Sequence, residues 1–127
     1  MCLSCLTIAC ACICGGQVKH AIYAHSHIGM VRDENQDSVA THVYADDLSL
    51  LIVADGMGGY AGGSVASSLV TSGMLSHLEK IPPEELRANP HLHLRLAAHA
   101  ANVAVNQEAR AKPEFRDMGS TMVAILV

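Results

Sequence analysis

The stretch "LLIVADGMGGYAGG", Leu50–Gly63, decides how the chain is read. Five apolar residues run into Asp55, and five of the next eight residues are glycine. An apolar run of this length bounded by glycine predicts a strand buried on both faces. The carboxylate at its end is then held by rigid backbone and aimed at a cleft. The turn after it, Gly56-Met57-Gly58-Gly59, is nearly bare of side chains. Bare backbone takes positive φ without strain and lets a ligand approach an N–H or a carbonyl closely. A hard divalent cation takes several oxygen ligands together, carboxylates, carbonyls and waters among them. Asp55 with the Gly56 carbonyl therefore makes half a site for Mg²⁺ or Mn²⁺. Two other readings compete. One is a tight strand-to-helix turn with Asp55 capping the helix. The other is a loose dinucleotide fingerprint, Gly56-x-Gly58-x-x-Ala61. The fingerprint is disfavoured because two strands precede it and because the acidic residue it requires would be Glu79, at a helix end.

Outward from this stretch the pattern is regular. "HAIYAHS" (His20–Ser26) alternates and predicts a strand. "GMVRDENQDS" (Gly29–Ser38) reads as a polar connection and "VATHVYA" (Val39–Ala45) as a second strand. Asp46-Asp47 is a hairpin turn, and Leu48–Ala54 a third strand. From Gly63 the period becomes helical. Val65, Ala66, Leu69, Val70, Met74, Leu75 and Leu78 share one face, Ser64 stands as the N-cap, and Pro82-Pro83 ends the helix. Asn89-Pro90 opens a second long helix, running to about Ala111, with Leu92, Leu96, Ala97, Ala100, Ala101 and Ala104 as its apolar positions. "STMVAILV" (Ser120–Val127) is a fourth strand. With nothing after the last strand, the chain reads as the first part of a larger α/β sandwich, leaving Leu48–Ala54 and Ser120–Val127 as uncovered apolar strands.

The chain has 127 residues, half of them apolar, and a net charge of −4. That suits one small domain with one core. Without a Lys/Arg-rich run, and with only Phe115 and three tyrosines as aromatics, a nucleic-acid partner is not expected. All five cysteines fall in "MCLSCLTIACACIC" at the start, so the body holds no disulfide framework and a reducing, cytoplasmic setting is expected. Leu3–Ile13 is too short to span a bilayer and follows no basic residue, so it is a poor secretory leader. A zinc site would need a second cysteine cluster, whereas S-acylation or lipoprotein-like processing leaves membrane anchoring open. Residues 1–20 read as a cysteine-rich tail outside the domain, and 21–127 as the domain. The histidines read as surface residues: His25 and His27 on one strand face, and His91, His93 and His99 in or near the second helix. His91 and His93 are two apart and cannot share a helix face.

The polar connection supplies what a half-site lacks. Arg32, Asn35 and Asp37 lie within six residues of one another. A guanidinium is a planar donor fork suited to phosphate oxygens. A second carboxylate near the first suits a two-metal cluster. The plainer reading is a solvated loop.

Together, "GMVRDENQDS", "LLIVADGMGGYAGGSVAS" and "MGSTMVAILV" resemble successive N-terminal motifs of the metal-dependent serine/threonine phosphatases, the type 2C or PPM family, over about Ala21–Val127. The resemblance implies the α+β class, a layered β-sandwich of antiparallel sheets flanked by helix pairs, with two Mn²⁺ or Mg²⁺ ions in a cleft at one end. It gives Arg32 the substrate phosphate. It makes Asp55 the bridge between the metals, the Gly56 carbonyl a ligand of one of them, and Asp37 a neighbour acting through water. A metal-activated water would attack the phosphorus of phosphoserine or phosphothreonine directly, with no phospho-enzyme. The partners implied are phosphorylated proteins, in opposition to a serine/threonine kinase in signalling. The sequence departs from the family pattern at three places. Gln36 stands for a glutamate that helps hold metal through water, and Tyr60 takes a place often filled by histidine. Met57 stands where eukaryotic members have a proposed acid histidine, which points to a bacterial-type enzyme whose leaving group is protonated by water. The family's C-terminal half adds further aspartates to the cluster. A non-catalytic, regulatory phosphoprotein-binding module is the alternative.

Overall fold

The apolar run at the centre of the sequence is the central strand of an antiparallel sheet. A computed structural model describes residues 11–14, 17–20, 22, 24–27, 34–45 and 47–127. Strands β1 (Ala11–Cys14) and β2 (Gln17–His20) form a two-stranded hairpin of their own. Strands β3 (Asp37–Ala45) and β4 (Leu48–Met57) form the second hairpin, with a register shift between Val43 and Ala45 beside its turn. Two helices follow in the layer above the sheet, α1 (Gly59–Leu78) and α3 (Pro90–Ala111), joined through the short α2 (Pro83–Ala88). A 3₁₀ turn, Pro113–Phe115, leads to β5 (Gly119–Ser120) and β6 (Val123–Leu126), both antiparallel to β4 on the edge opposite β3.

The period-2 register sorts the side chains of β4. Leu48, Leu50 and Ile52 are buried against Met74 and Leu78 of α1, Leu86 of α2, and Ala97 and Ala101 of α3. Ala54 joins Ala66, Val70, Val105 and Met118 in a second cluster nearer the glycine turn. The other face of the sheet carries the rows Val39-Val53-Val123 and Thr41-Leu51-Ile125. It is apolar, with Val43, Val123, Ile125 and Val127 exposed.

Several expectations change. Leu48–Ala54 is not an uncovered strand: it pairs with β3 on one side and β6 on the other, and it runs on to Met57. All its neighbours are antiparallel, which excludes the parallel sheet of a dinucleotide-binding fold. His20 closes β2, but Ile22 and Ala24–Ser26 are irregular: alternation makes a strand only where a partner ladder exists. Asp46 of the expected turn lies outside the described residues. Ser120–Val127 divides into β5 and β6, with Thr121 and Met122 between them.

Ser64 does not cap a helix. Helix α1 begins five residues earlier, because Gly58 (φ 129°) and Gly59 (φ 75°) turn the chain directly from strand into helix. The expected face of α3 is rotated. Leu92 and Leu96 are exposed, while His93, Ala97, Ala101 and Val105 are buried. The reason is a close helix crossing. A Cβ at Gly73 of α1 would lie 3.3 Å from Ala101 Cα, so only small residues fit between the helices and the leucines fall outside. His93 is therefore a core residue, 3.3 Å from the Glu85 carboxylate, and not a surface histidine. Among the described residues, no helix is long and apolar enough to cross a membrane.

Candidate metal and phosphate site

Asp37 and Asp55 occupy one rung of the β3–β4 ladder. Opposed residues of an antiparallel pair project from the same face, with Cβ atoms about 4.5–5.5 Å apart. The next rung fixes which face. Ser38, opposite Ala54, puts its hydroxyl 2.8 Å from Thr71 Oγ1 of α1, so the helix side belongs to Ser38 and the opposite side to the two aspartates. Asp55 is exposed and Asp37 half-buried. Two like charges directly opposed destabilise a sheet unless positive charge is brought to them.

The backbone around this rung is tied from both sides. Asn35 Oδ1 accepts the Asp37 N–H at 3.1 Å, and Asn35 Nδ2 donates to Ser26 Oγ at 2.8 Å. On the far side the Asp55 carbonyl accepts the Thr121 N–H at 2.9 Å and the Ser120 hydroxyl at 3.1 Å. With its carbonyl turned to β5, Asp55 keeps only its carboxylate at the open face.

The glycines after Asp55 are required by contact. The Gly56 N–H donates to the Gln36 carbonyl at 3.0 Å. A Cβ on Gly56 would overlap the Gly63 carbonyl oxygen and come within 2.8 Å of the Gln36 carbonyl. A Cβ on Gly58 would meet Met118 Cα at 2.5 Å. No side chain caps α1, so Asp55 is not a helix cap. Ser64, inside the second turn of α1, donates instead to Glu34 Oε1 at 2.6 Å.

The structure thus brings Asp37, Asp55 and Gly56 together at one end of the sheet. Arg32 lies outside the described residues. Among the described residues, no group of three or more His, Cys, Asp or Glu side chains converges. His25 and His27 are exposed, their rings 6.3 Å apart, on irregular chain and not on a strand face. Sequence reasoning named Asn35 without giving it a role, and missed Glu34, Ser120 and Thr121 as supports of the site. Asn35, two residues before an aspartate and ahead of a strand, carries the mark of an Asx turn. The hydroxyls of Ser120 and Thr121 give no such signal, because their target is 65 and 66 residues away.

A family model described as "Protein phosphatase 2C" matches residues 24–127. The serine/threonine protein phosphatase PstP of Mycobacterium tuberculosis is 42% identical over 104 residues, which cover 81% of this chain and 18% of that protein. The crystal structure of the PstP catalytic domain in complex with two manganese ions superposes with a TM-score of 0.67 at 37% identity, over 81% of this chain and 41% of that one. The serine/threonine phosphatase Stp1 of Staphylococcus aureus gives a TM-score of 0.70 at 32% identity, over 80% and 39%. The chain therefore spans about two fifths of the solved domains it matches.

Proposed function

Because the chain belongs to the protein phosphatase 2C family, we propose that it is the N-terminal part of a metal-dependent phosphatase acting on phosphoserine and phosphothreonine in proteins. The observation that carries the reading is the Asp37–Asp55 rung, two carboxylates on one face of the sheet beside a glycine turn. The donor set fits a hard cation: all its ligand atoms are oxygen, from two carboxylates and, at Gly56, a main-chain carbonyl. Asp55, Asp37 and the Gly56 carbonyl would hold Mn²⁺ or Mg²⁺, two ions in the complete domain, with further ligands from the remainder of the domain. Bound there, such cations acidify water and offset the charge of a phosphate.

The other roles fall to this chain's own side chains. Arg32 would grip two phosphate oxygens of the substrate with its fork, fixing phosphorus over the aspartates. Met57 lies two residues beyond Asp55 on the same strand and is 55% exposed. A thioether has no proton to give, so the departing serine or threonine oxygen takes its proton from water. The substrates would be phosphorylated proteins, in opposition to a serine/threonine kinase, and the setting cytoplasmic.

The alternative is a non-catalytic module that binds phosphoproteins. One assay separates the two. The full-length protein, given a phosphothreonine peptide, releases inorganic phosphate with Mn²⁺ or Mg²⁺ and ceases with EDTA if the enzyme reading holds. Tight peptide binding with no phosphate release at any Mn²⁺ concentration would select the binding module.

A further inference from the structure

Gln36 makes three contacts with the end of β4 and the start of α1. Its main-chain carbonyl accepts the Gly56 N–H at 3.0 Å. Its side-chain Nε2 donates to the Gly59 carbonyl at 3.0 Å. Its amide group lies against Gly63, where an added Cβ would stand 2.7 Å from Gln36 Cδ. One residue thus spans the last residues of β4 and the first turn of α1. Gly58 and Gly59 both have positive φ, and glycine backbone is the most freely moving in any chain. A turn built this way needs an external tie to hold one shape.

The tie lies on the helix side of the sheet, next to the carboxylate rung. Gln36 immediately precedes Asp37, and Gly56 immediately follows Asp55. We propose that Gln36 is a positioning residue: its amide clamps the glycine turn and so fixes the Gly56 peptide and the Asp55 carboxylate against Asp37 for cation binding. This rests on the reading of Asp37 and Asp55 as cation ligands. The role requires an amide. A side-chain N–H donates to the Gly59 carbonyl, whereas an ionised carboxylate of the same shape has only acceptor oxygens to set against it. Gln36 in this role faces the turn, and its lack of charge is what the contact needs.

The test compares Gln36→Glu and Gln36→Met with the wild type, all as full-length protein. Calorimetry with MnCl₂ measures affinity, and amide hydrogen exchange follows Gly56 and its neighbours in the turn. A supporting shell of this kind is worth about 10–100-fold in metal affinity. The clamp predicts that both variants lose at least about tenfold in Mn²⁺ affinity and that the turn exchanges faster, while the melting temperature stays near that of the wild type. A residue acting on the cation through water would behave oppositely, since the added charge of Gln36→Glu would tighten Mn²⁺ binding. Tighter or unchanged binding with unchanged exchange in Gln36→Glu overturns the clamp. If Gln36→Glu does not fold, Gln36→Met, which loses the donor without adding charge, decides on the same two readouts. Absence of Mn²⁺ binding in the wild type itself would overturn the site reading, and is seen before any variant is made.

Discussion

Asp37 and Asp55 face each other across one rung of the β3–β4 ladder, on the side of the sheet away from the helices. Opposed like charges weaken a sheet by roughly the 0.2–1 kcal/mol that opposite charges contribute. Asp55→Asn removes one charge at an exposed position without changing shape. In metal-free, full-length protein it should leave stability unchanged or raise it by up to about 1 kcal/mol. Added Mn²⁺ should then stabilise the wild type and not the variant. Denaturant melts with and without Mn²⁺ read both effects. An equal Mn²⁺ shift in wild type and variant would remove Asp55 from the cation site.

The glycines of the turn should rank by contact. Gly56→Ala forces a methyl into the Gly63 carbonyl and the Gln36 backbone, neither of which can step aside. A loss of about 3 kcal/mol or more is expected. Gly59 has positive φ, and nothing lies within 4 Å of its added Cβ. Gly59→Ala should cost only the left-handed backbone penalty, about 1–2 kcal/mol. Urea midpoints for the two variants in the opposite order would contradict the packing described for the turn.

Tyr44 predicts an alkaline limit to stability. Burial, and then the Glu79 carboxylate, push its phenol up to about 12 from 10.0. The folded state therefore holds the phenolic proton more tightly than the unfolded chain. Its contribution is complete below about pH 10 and is lost as pH rises from there towards 12. Among the described residues the buried Tyr44 hydroxyl has no hydrogen-bond partner. Tyr44→Phe should then be within about 1 kcal/mol of the wild type at neutral pH and should lose less stability between pH 10 and 12. Melting curves across that range check the sign.

Arg32 is the residue assigned to the substrate phosphate. As a phosphate clamp it should raise KM for a phosphopeptide when changed to alanine, and lower kcat if it also holds the transition state. Arg32→Lys keeps the charge but loses the fork, so it should be impaired as well. Steady-state kinetics equal to the wild type in Arg32→Ala would leave it a solvated loop residue.

Much of this was legible before the fold. The run Leu50–Ala54 ending in Asp55 announced a buried strand with a carboxylate at its end, because burial on both faces leaves a continuous apolar pattern. The two long helices followed from period and proline. What failed was context. Helix α1 starts at Gly59, and glycine carries no helix-start signal, so Ser64 looked like the cap although it binds Glu34. Helix α3 turns Ala97 and Ala101 inward and Leu92 and Leu96 outward, because Gly73 of α1 sets the helix spacing. Six-residue α2 is too short to show a period, and it is α2 that brings Glu85 to His93. At the site, the two aspartates stand out in the sequence as carboxylates flanking a glycine turn and a polar connection. Their sharing of one rung does not, since register is fixed by pairing across the sheet and not by either strand alone.

The most direct test of the account is turnover by Asp55→Asn in the full-length protein, with a phosphothreonine peptide as substrate and Mn²⁺ titrated from zero. The wild type should release phosphate only when Mn²⁺ is present. The variant should retain the fold by circular dichroism and lose about 100-fold or more in kcat, the scale on which removal of one preorganised electrostatic group is felt. Mn²⁺-dependent hydrolysis by Asp55→Asn at a rate near that of the wild type would contradict the assignment of this rung as the catalytic metal site.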